Sequence, residues 1–289
     1  MPELPEVEVV KRSLTNKTQN LIIKEVKIND ARLRYRVEKK KLRKIVGLKI
    51  KKIKRRSKYL LFFFNKKVVM LAHLGMTGKF IFIDENDIKF KTSFYYNLDK
   101  KKDQKYDRVV FFFNKNRKLI YNDVRKFGFI EIISDKDLKK NKHLKKLGPE
   151  PLSQKFDYNY FKKFIRGKSR SIKDILMDQK FVSGIGNIYA NEILFLSKVR
   201  PDRKVKSLQK LELKKILVFT SIVLKTAISH GGSSIKDFSS SNGKKGLFQQ
   251  KFNVYSKKGE LCSNTNCSNK IIKTSISKRA TFYCSKCQK

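Results

Sequence analysis

The sequence predicts an α+β protein of several domains: an antiparallel β-sandwich or barrel first, then a helical segment, then a small cysteine module. Three observations carry this. Between about residues 21 and 133 the chain runs in short Phe-, Ile- and Val-rich stretches separated by Asn, Lys, Gly and Asp, the texture of an antiparallel β domain. After residue 153 the apolar residues recur at helical spacing. All four cysteines fall after residue 261, which suits one metal site better than a disulfide framework.

Taken in order, residues 5–16 read as a helix with Val7, Val10, Arg12 and Leu14 on a partly apolar face. The strand candidates are Leu21–Ile28, Tyr59–Phe64, Val68–Leu74, Phe80–Ile83, Val109–Phe113, Leu119–Tyr121 and Phe129–Ile133. Residues 84–105 are polar and read as a loop with one short strand. The N-terminal domain is thus placed at 1–133. Residues 134–153, with Gly148-Pro149-Glu150-Pro151, read as a linker. A second domain spans 154–251. Its helices are Phe156–Ile165, Ser171–Gln179, Ile188–Leu196 and about Ser207–Ser229, the last with Leu208, Leu211, Ile216, Phe219, Val223 and Ala227 on one face. Gly231-Gly232 is placed to end that helix. Residues 233–246 are Ser-, Gly- and Lys-rich and read as a mobile loop; 252–289 form the cysteine module.

The 289 residues carry 70 Lys+Arg against 25 Asp+Glu, a formal net charge of +45. Such an imbalance points to a polyanionic partner, nucleic acid before membrane, although the abundance of Lys, Asn, Ile and Phe without Trp also fits compositional drift in an AT-rich genome. No secretory signal is expected, since charges interrupt the first 30 residues. No apolar run approaches the roughly 18 residues a membrane span needs. A soluble cytoplasmic protein is expected.

Against this basic background the opening Met1-Pro2-Glu3-Leu4-Pro5-Glu6-Val7-Glu8 stands out. Methionine before a small residue is normally trimmed, which would leave Pro2 with a free secondary amine. An α-amino group titrates at about 7.7–8.0 against about 10.4 for lysine. It is therefore more nucleophilic near neutrality and suited to Schiff-base chemistry, with Glu3 beside it as acid or base. The same residues also make a helix start. Both readings hold if Pro5, Glu6 and Glu8 open the helix while Pro2 and Glu3 stay free of it. The cysteines read Cys262-x4-Cys267-x16-Cys284-x2-Cys287, two close pairs suited to one structural Zn²⁺ in a ribbon or hairpin. A module of about 38 residues builds too small a core to fold alone, so the metal is expected to supply the folding energy.

Weaker signals lie between. Lys58, in Arg55-Arg56-Ser57-Lys58-Tyr59, is equally an ordinary basic strand end. Arg125 and Phe127, in Asn122-Asp123-Val124-Arg125-Lys126-Phe127-Gly128, suit filling the gap left by an extruded base, or simply a turn returning Phe to the core. Gly186-Asn187, opening a helix, suits a phosphate or plain turn chemistry. His73, in an apolar strand, reads as a satisfied core residue. The Ser/His/Asp triad, the HExxH motif and the Gly-rich phosphate loop are all missing from the sequence.

Taken together, these motifs resemble the bacterial formamidopyrimidine-DNA glycosylase family. The resemblance rests on the Pro-Glu-Leu-Pro-Glu-Val-Glu opening, Arg56–Leu61, His73-Leu74-Gly75-Met76, Arg125-Lys126-Phe127-Gly128, Leu147–Leu152, Leu176-Met177-Asp178, Gly186–Ala190 and Arg279–Cys284, in that order along the chain. It implies an N-terminal antiparallel β-sandwich with flanking helices, a helix–two-turn–helix domain and a C-terminal zinc β-hairpin. It implies a base-excision repair enzyme that removes oxidised purines (8-oxoguanine, formamidopyrimidines) from damaged double-stranded DNA and cleaves the strand by β,δ-elimination. By the same resemblance Pro2 is the nucleophile, Glu3 its neighbouring proton donor, Lys58 the donor for β-elimination and Arg279 the donor for δ-elimination. Met76, Arg125 and Phe127 fill the void left by the base. Asn187 and Arg279 bind phosphate, and Lys168 and Tyr106 contact DNA. A monomer at the bacterial nucleoid is expected. The chain departs from the pattern in its x4 first cysteine pair, in Lys105-Tyr106-Asp107 where the family tends to carry His-containing sequence, and in Val124 where a proline is common, so that a looser wedge turn is expected. The rival readings are an endonuclease VIII-like glycosylase for oxidised pyrimidines and a non-catalytic zinc-ribbon nucleic-acid-binding protein.

Overall fold

The computed structural model describes residues 1–91, 104–232 and 251–289. The loop expected at 233–246 lies outside them. The described chain forms two compact units, residues 1–145 with 228–232, and residues 146–227 with 251–289.

The first unit begins with helix α1 (Leu4–Thr18). Pro5 sits in its first turn, where a missing N–H costs nothing. Leu4, Val7, Val10 and Leu14 point into the core at helical spacing. Strand β1 (Glu25–Ile28) and a short helix α2 (Lys39–Arg43) follow. Next come strands β2 (Ile50–Arg56), β3 (Tyr59–Phe64), β4 (Val68–His73), β5 (Lys79–Ile83), β6 (Lys89–Lys91), β7 (Asp107–Phe112), β8 (Lys118–Asn122) and β9 (Phe129–Ser134). They make two antiparallel sheets, ordered β1-β7-β8-β5-β6 and β2-β3-β4-β9. The open choice between barrel and sandwich resolves as a sandwich.

Alternation along the strands divides the side chains between faces. Leu60, Phe62, Phe64, Met70, Ala72, Phe80, Phe82, Phe111, Leu119 and Tyr121 share one core with the apolar face of α1. The opposite parity of β3 and β4, Leu61, Val69 and Leu71, packs with Phe129 in a second cluster against Leu138 and Leu144. Strand β2 and helix α2 escaped the reading of the sequence. In β2 only Ile50 and Ile53 are buried, and lysines and arginines occupy the rest, so no apolar run marks it.

The second unit contains helices α3 (Tyr158–Ile165), α4 (Ile172–Met177), α5 (Asn187–Leu196) and α6 (Lys210–Ser229), then a hairpin of β10 (Ile272–Ile276) and β11 (Arg279–Tyr283). Asp157 and Ser171 cap α3 and α4 with their side chains. Helix α5 is buried from Ile188 to Phe195. In α6 the buried positions are Leu213, Ile216, Thr220, Val223, Leu224 and Ala227. Ile216, Val223 and Ala227 are thus buried as expected, whereas Leu211 is 67% exposed and Leu208 precedes the helix. Gly148 and Pro149 are tied to the following segment: the Gly148 N–H donates to the Gln179 carbonyl and the Ser183 N–H to the Pro149 carbonyl. Among the described residues no helix is long and apolar enough to cross a membrane.

Candidate active site

The amino end of the chain is enclosed from Pro2 onward, while Met1 is 45% exposed. Pro2 is buried and Glu3 is 3% exposed. Glu3 is not free of the helix as expected: it is the N-cap of α1, and its N–H donates to Glu6 Oε2 at 2.8 Å. Capping by Glu6 thus orients the residue that follows Pro2. Burial holds the Met1 α-amino group below its ordinary value, with Lys58 and Arg125 acting in the same direction and Glu3 and Glu6 opposing them. The amine therefore lies within electrostatic reach of four of these charged side chains. Gly232, at φ +81°, lies over Glu6: a Cβ there would be 3.2 Å from Glu6 Oε1.

Lys58 is 6% exposed, in the tight turn between Arg56 and Tyr59 that joins β2 to β3. Ser57 takes φ +55° there. Arg55 pins the turn to the helix: its Nε donates to Glu8 Oε2 at 3.0 Å and its Nη1 to the Ser57 carbonyl at 3.0 Å. Burial raises the Glu8 carboxyl, but hydrogen bonds and charge from Lys11 and Arg55 prevail and hold it below its ordinary value. Nothing in the sequence pairs Glu8 with Arg55.

Met76, Arg125 and Phe127 come together from two loops. Met76 is 38% and Phe127 43% exposed, and the Arg125 guanidinium lies 4.6 Å from the centre of the Phe127 ring. The loops meet without slack. A Cβ on Gly75 would sit 2.4 Å from the Gly128 nitrogen, and one on Gly128 would sit 1.8 Å from the Tyr121 hydroxyl oxygen and 2.5 Å from the His73 carbonyl. Tyr121 itself donates to that carbonyl at 2.9 Å. Gly128→Ala is expected to cost about 3 kcal/mol or more through overpacking, read as a lower urea midpoint, with partial recovery when Tyr121→Phe is added. Two side-chain acceptors meet the backbone of the Val124 turn, where a looser turn is expected. The Arg125 N–H donates to Thr77 Oγ1 at 3.0 Å and the Gly128 N–H to Asp123 Oδ2 at 2.9 Å. Side-chain acceptors hold this backbone in place of a proline ring.

His73 is the satisfied core residue expected. Its Nδ1 accepts the Gly75 N–H at 3.1 Å, and its ring stacks on Phe129. Burial first, then Lys58 and Arg34, push its pKa down to about 3. The folded value lies below the ~6.5 of an unfolded histidine, so the unfolded state binds the extra proton between the two. The associated stability is present above about pH 6.5 and is lost as pH falls toward the folded value, at about 1.4 kcal/mol per pH unit for one proton. His73→Asn, which keeps an acceptor for Gly75, is expected to flatten the loss of urea stability between about pH 7 and about pH 5.

Tyr106 lies in a 3₁₀ turn, its carbonyl accepting the Asp123 N–H and its ring 5.6 Å from the Arg108 guanidinium. In the second unit Asn187 opens α5 behind the N-cap Gly186. Its Nδ2 donates to the Ala280 carbonyl at 2.9 Å, and its buried Oδ1 has no hydrogen-bond partner among the described residues. Arg279, next to Ala280, is exposed at the start of β11, beyond a two-residue turn in which Ser277 and Lys278 both take positive φ. Lys173, 1% exposed, donates to the Ala280 carbonyl at 3.0 Å and to Thr281 Oγ1 at 2.6 Å. The structure thus sets Asn187 against the backbone of Ala280, the residue that follows Arg279. Lys168 folds back onto the Phe164 carbonyl and ring.

The thiols of Cys262, Cys267, Cys284 and Cys287 lie within 4.8 Å of one another. Cys262–Cys287 and Cys267–Cys284 are 3.8 and 3.6 Å apart. A tetrahedron with metal–sulfur bonds of about 2.3 Å has edges of roughly 3.8 Å, so the donor set fits Zn²⁺, x4 spacing included. The Glu192 carboxylate on α5 accepts the N–H groups of Asn253, Val254 and Tyr255, which ties the module to the helix that carries Asn187.

The chain is thus a β-sandwich and helical α+β protein with an enclosed amino terminus and a four-thiol hairpin. Residues 1–130 match the formamidopyrimidine-DNA glycosylase N-terminal domain and residues 147–239 the H2TH domain of the same proteins. A formamidopyrimidine-DNA glycosylase of Rickettsia bellii is 40% identical over 289 residues, covering both chains fully. One of Roseobacter denitrificans is 34% identical over the same length, also with full coverage. Among solved structures, a Lactococcus lactis FPG mutant in complex with Fapy-dG-containing DNA superposes with a TM-score of 0.86 at 32% identity, over all of both chains. The complex of Lactococcus lactis Fpg with abasic-site DNA gives 0.85 at 33%, over 99% of each. The chain belongs to the formamidopyrimidine-DNA glycosylase family.

Proposed function

We propose that the chain excises oxidised purines, 8-oxoguanine and formamidopyrimidines, from duplex DNA through a Schiff base at Pro2. As a member of its family it is a bifunctional DNA glycosylase and AP lyase of base-excision repair. The observation that carries the residue-level reading is the buried amino end among Glu3, Glu6, Lys58 and Arg125. With Met1 removed, the Pro2 nitrogen attacks C1′ of the damaged nucleotide. The C1′–N bond to the base breaks, and the departing base takes a proton. The proline nitrogen gives up its proton and the C1′–O4′ bond opens, with a proton going to O4′, which leaves an iminium at C1′. This iminium withdraws electrons from the sugar, so a C2′ proton is lost and the 3′-phosphate leaves. A second elimination releases the 5′-phosphate, and water hydrolyses the iminium.

Glu3 is the proton donor beside the nucleophile, Lys58 serves β-elimination and Arg279 δ-elimination. Met76, Arg125 and Phe127 fill the space left by the extruded base; their exposure on adjoining loops supports this. Asn187 and Arg279 bind phosphate; the hydrogen bond from Asn187 to Ala280, the residue that follows Arg279, supports this. Tyr106 and Lys168 stand as DNA contacts on the family resemblance alone. The four cysteines hold one Zn²⁺, which when bound supplies folding energy to the hairpin. The protein works as a monomer in the bacterial cytoplasm, and its affinity for DNA falls steeply with salt.

The test compares duplexes containing 8-oxoguanine opposite C with duplexes containing thymine glycol, each with borohydride trapping. Preferential trapping and cleavage on 8-oxoguanine is expected. Preference for thymine glycol would move the chain to the pyrimidine-specific branch. No covalent adduct, from protein shown to begin at Pro2, would leave only a binding protein.

A further inference from the structure

The three side chains proposed to fill the void share one buried junction. Met76 comes from the loop after β4, and Arg125 and Phe127 from the loop after β8. Between the loops lies Asp123, 0% exposed. Its Oδ1 accepts the Thr77 hydroxyl at 2.5 Å and its Oδ2 accepts the Gly128 N–H at 2.9 Å. Thr77 Oγ1 in turn accepts the Arg125 N–H at 3.0 Å. The segment Arg125-Lys126-Phe127 is thus held at both ends, and Thr77 neighbours Met76 in the chain.

Three hydrogen bonds set this junction. Two backbone N–H groups can only donate, and the single Thr77 proton is spent on Asp123. Both Asp123 oxygens must accept, which an ionised carboxylate does and an amide cannot. A further brace lies outside: Lys126 pairs with Asp30 at 2.8 Å, and Arg108 bridges the Asp30 carboxylate and the Asp123 carbonyl. Asp30 is held well below the usual carboxylate range, chiefly by its hydrogen bonds from Arg32 and Lys126. Two large apolar side chains are therefore presented to solvent on a backbone that does not need to be ordered when DNA arrives, which lowers the cost of insertion.

We infer that Asp123 and Thr77 are positioning residues for base extrusion: they set the wedge, and act on excision of an intact lesion base and not on the chemistry at Pro2. The inference rests on the function proposed above. The full-length protein, processed to Pro2, is tested as Asp123→Asn, Thr77→Val and Thr77→Ser. Single-turnover excision of 8-oxoguanine from duplex DNA is compared with borohydride trapping on a preformed abasic site, which has no base to extrude. A 2-aminopurine beside the lesion reports insertion directly.

Thr77→Val is expected to slow both excision and the 2-aminopurine signal by about tenfold, Asp123→Asn by more, with trapping on the abasic site within about threefold of the parent. Thr77→Ser, which keeps the hydroxyl, is expected to retain all three. Unchanged excision in Thr77→Val, or equal loss of excision and abasic-site trapping in a variant of parental thermal stability, overturns the inference. Should Asp123→Asn fail to fold, Thr77→Val and Thr77→Ser decide it. Failure of the parent itself to trap either substrate strikes the proposed function instead.

Discussion

Protein that retains Met1 yields no borohydride-trapped adduct on 8-oxoguanine or abasic DNA, and Pro2→Gly yields far less than the parent processed to Pro2. With Met1 attached, the Pro2 nitrogen is a tertiary amide with no basic lone pair, so the expected loss is complete. In the processed protein it is a secondary amine. Such an amine condenses with C1′ to an iminium that carries its positive charge without needing a further proton. Glycine offers a primary amine on a backbone without the ring that fixes proline's φ. A drop of about a thousandfold or more is expected, the scale seen when a nucleophile is removed. Intact-mass measurement establishes the terminus and a denaturing gel reads the adduct. Full trapping by Pro2→Gly would remove Pro2 from its role. Because Pro2 lies in the first unit and the thiols in the second, zinc content is expected to be unchanged.

Removing the metal gives the opposite dissociation. Chelation, or Cys284→Ala, is expected to unfold the hairpin, with zinc falling from one ion per chain to none and DNA affinity lost. The apolar cluster around the thiols is small, with Phe195, Val254, Ile271 and Phe282 as its buried hydrocarbon members. Structural zinc supplies about 10–16 kcal/mol in small modules, more than such a cluster can replace. The loss reaches the proposed phosphate site, because Ala280 is the acceptor for Asn187 and Lys173, and the Phe282 N–H donates to Asn191 Oδ1. Metal analysis, far-ultraviolet circular dichroism and a salt-resolved binding isotherm check it. Undiminished DNA binding by metal-free protein would show that the hairpin folds without zinc.

The two predictions rest on features legible in the chain. The opening stretch and the paired cysteines are local in sequence, and their chemistry needs only the residues named. Most strands were legible too, because Phe62, Phe80 and Phe111 belong to apolar runs. β2 was not: its lysines face outward while Ile50 and Ile53 alone mark the buried side. In α6 spacing located the buried Ile216, Val223 and Ala227 but also took in Leu211, which is apolar yet exposed, and missed Leu213, Thr220 and Leu224, because packing and not spacing alone sets the edges of the buried face.

By itself the sequence determined the order of domains, the thiol site and the candidate nucleophile, since each depends on residue type and short spacing. Tertiary structure alone decided what holds those parts in place. Glu8 meets Arg55, Thr77 meets Asp123 and Lys173 meets Ala280 across 47, 46 and 107 residues. A polar side chain leaves no periodic trace of its partner: hydrogen bonds are directional and made in three dimensions, and the need to satisfy them appears only when folding has excluded water.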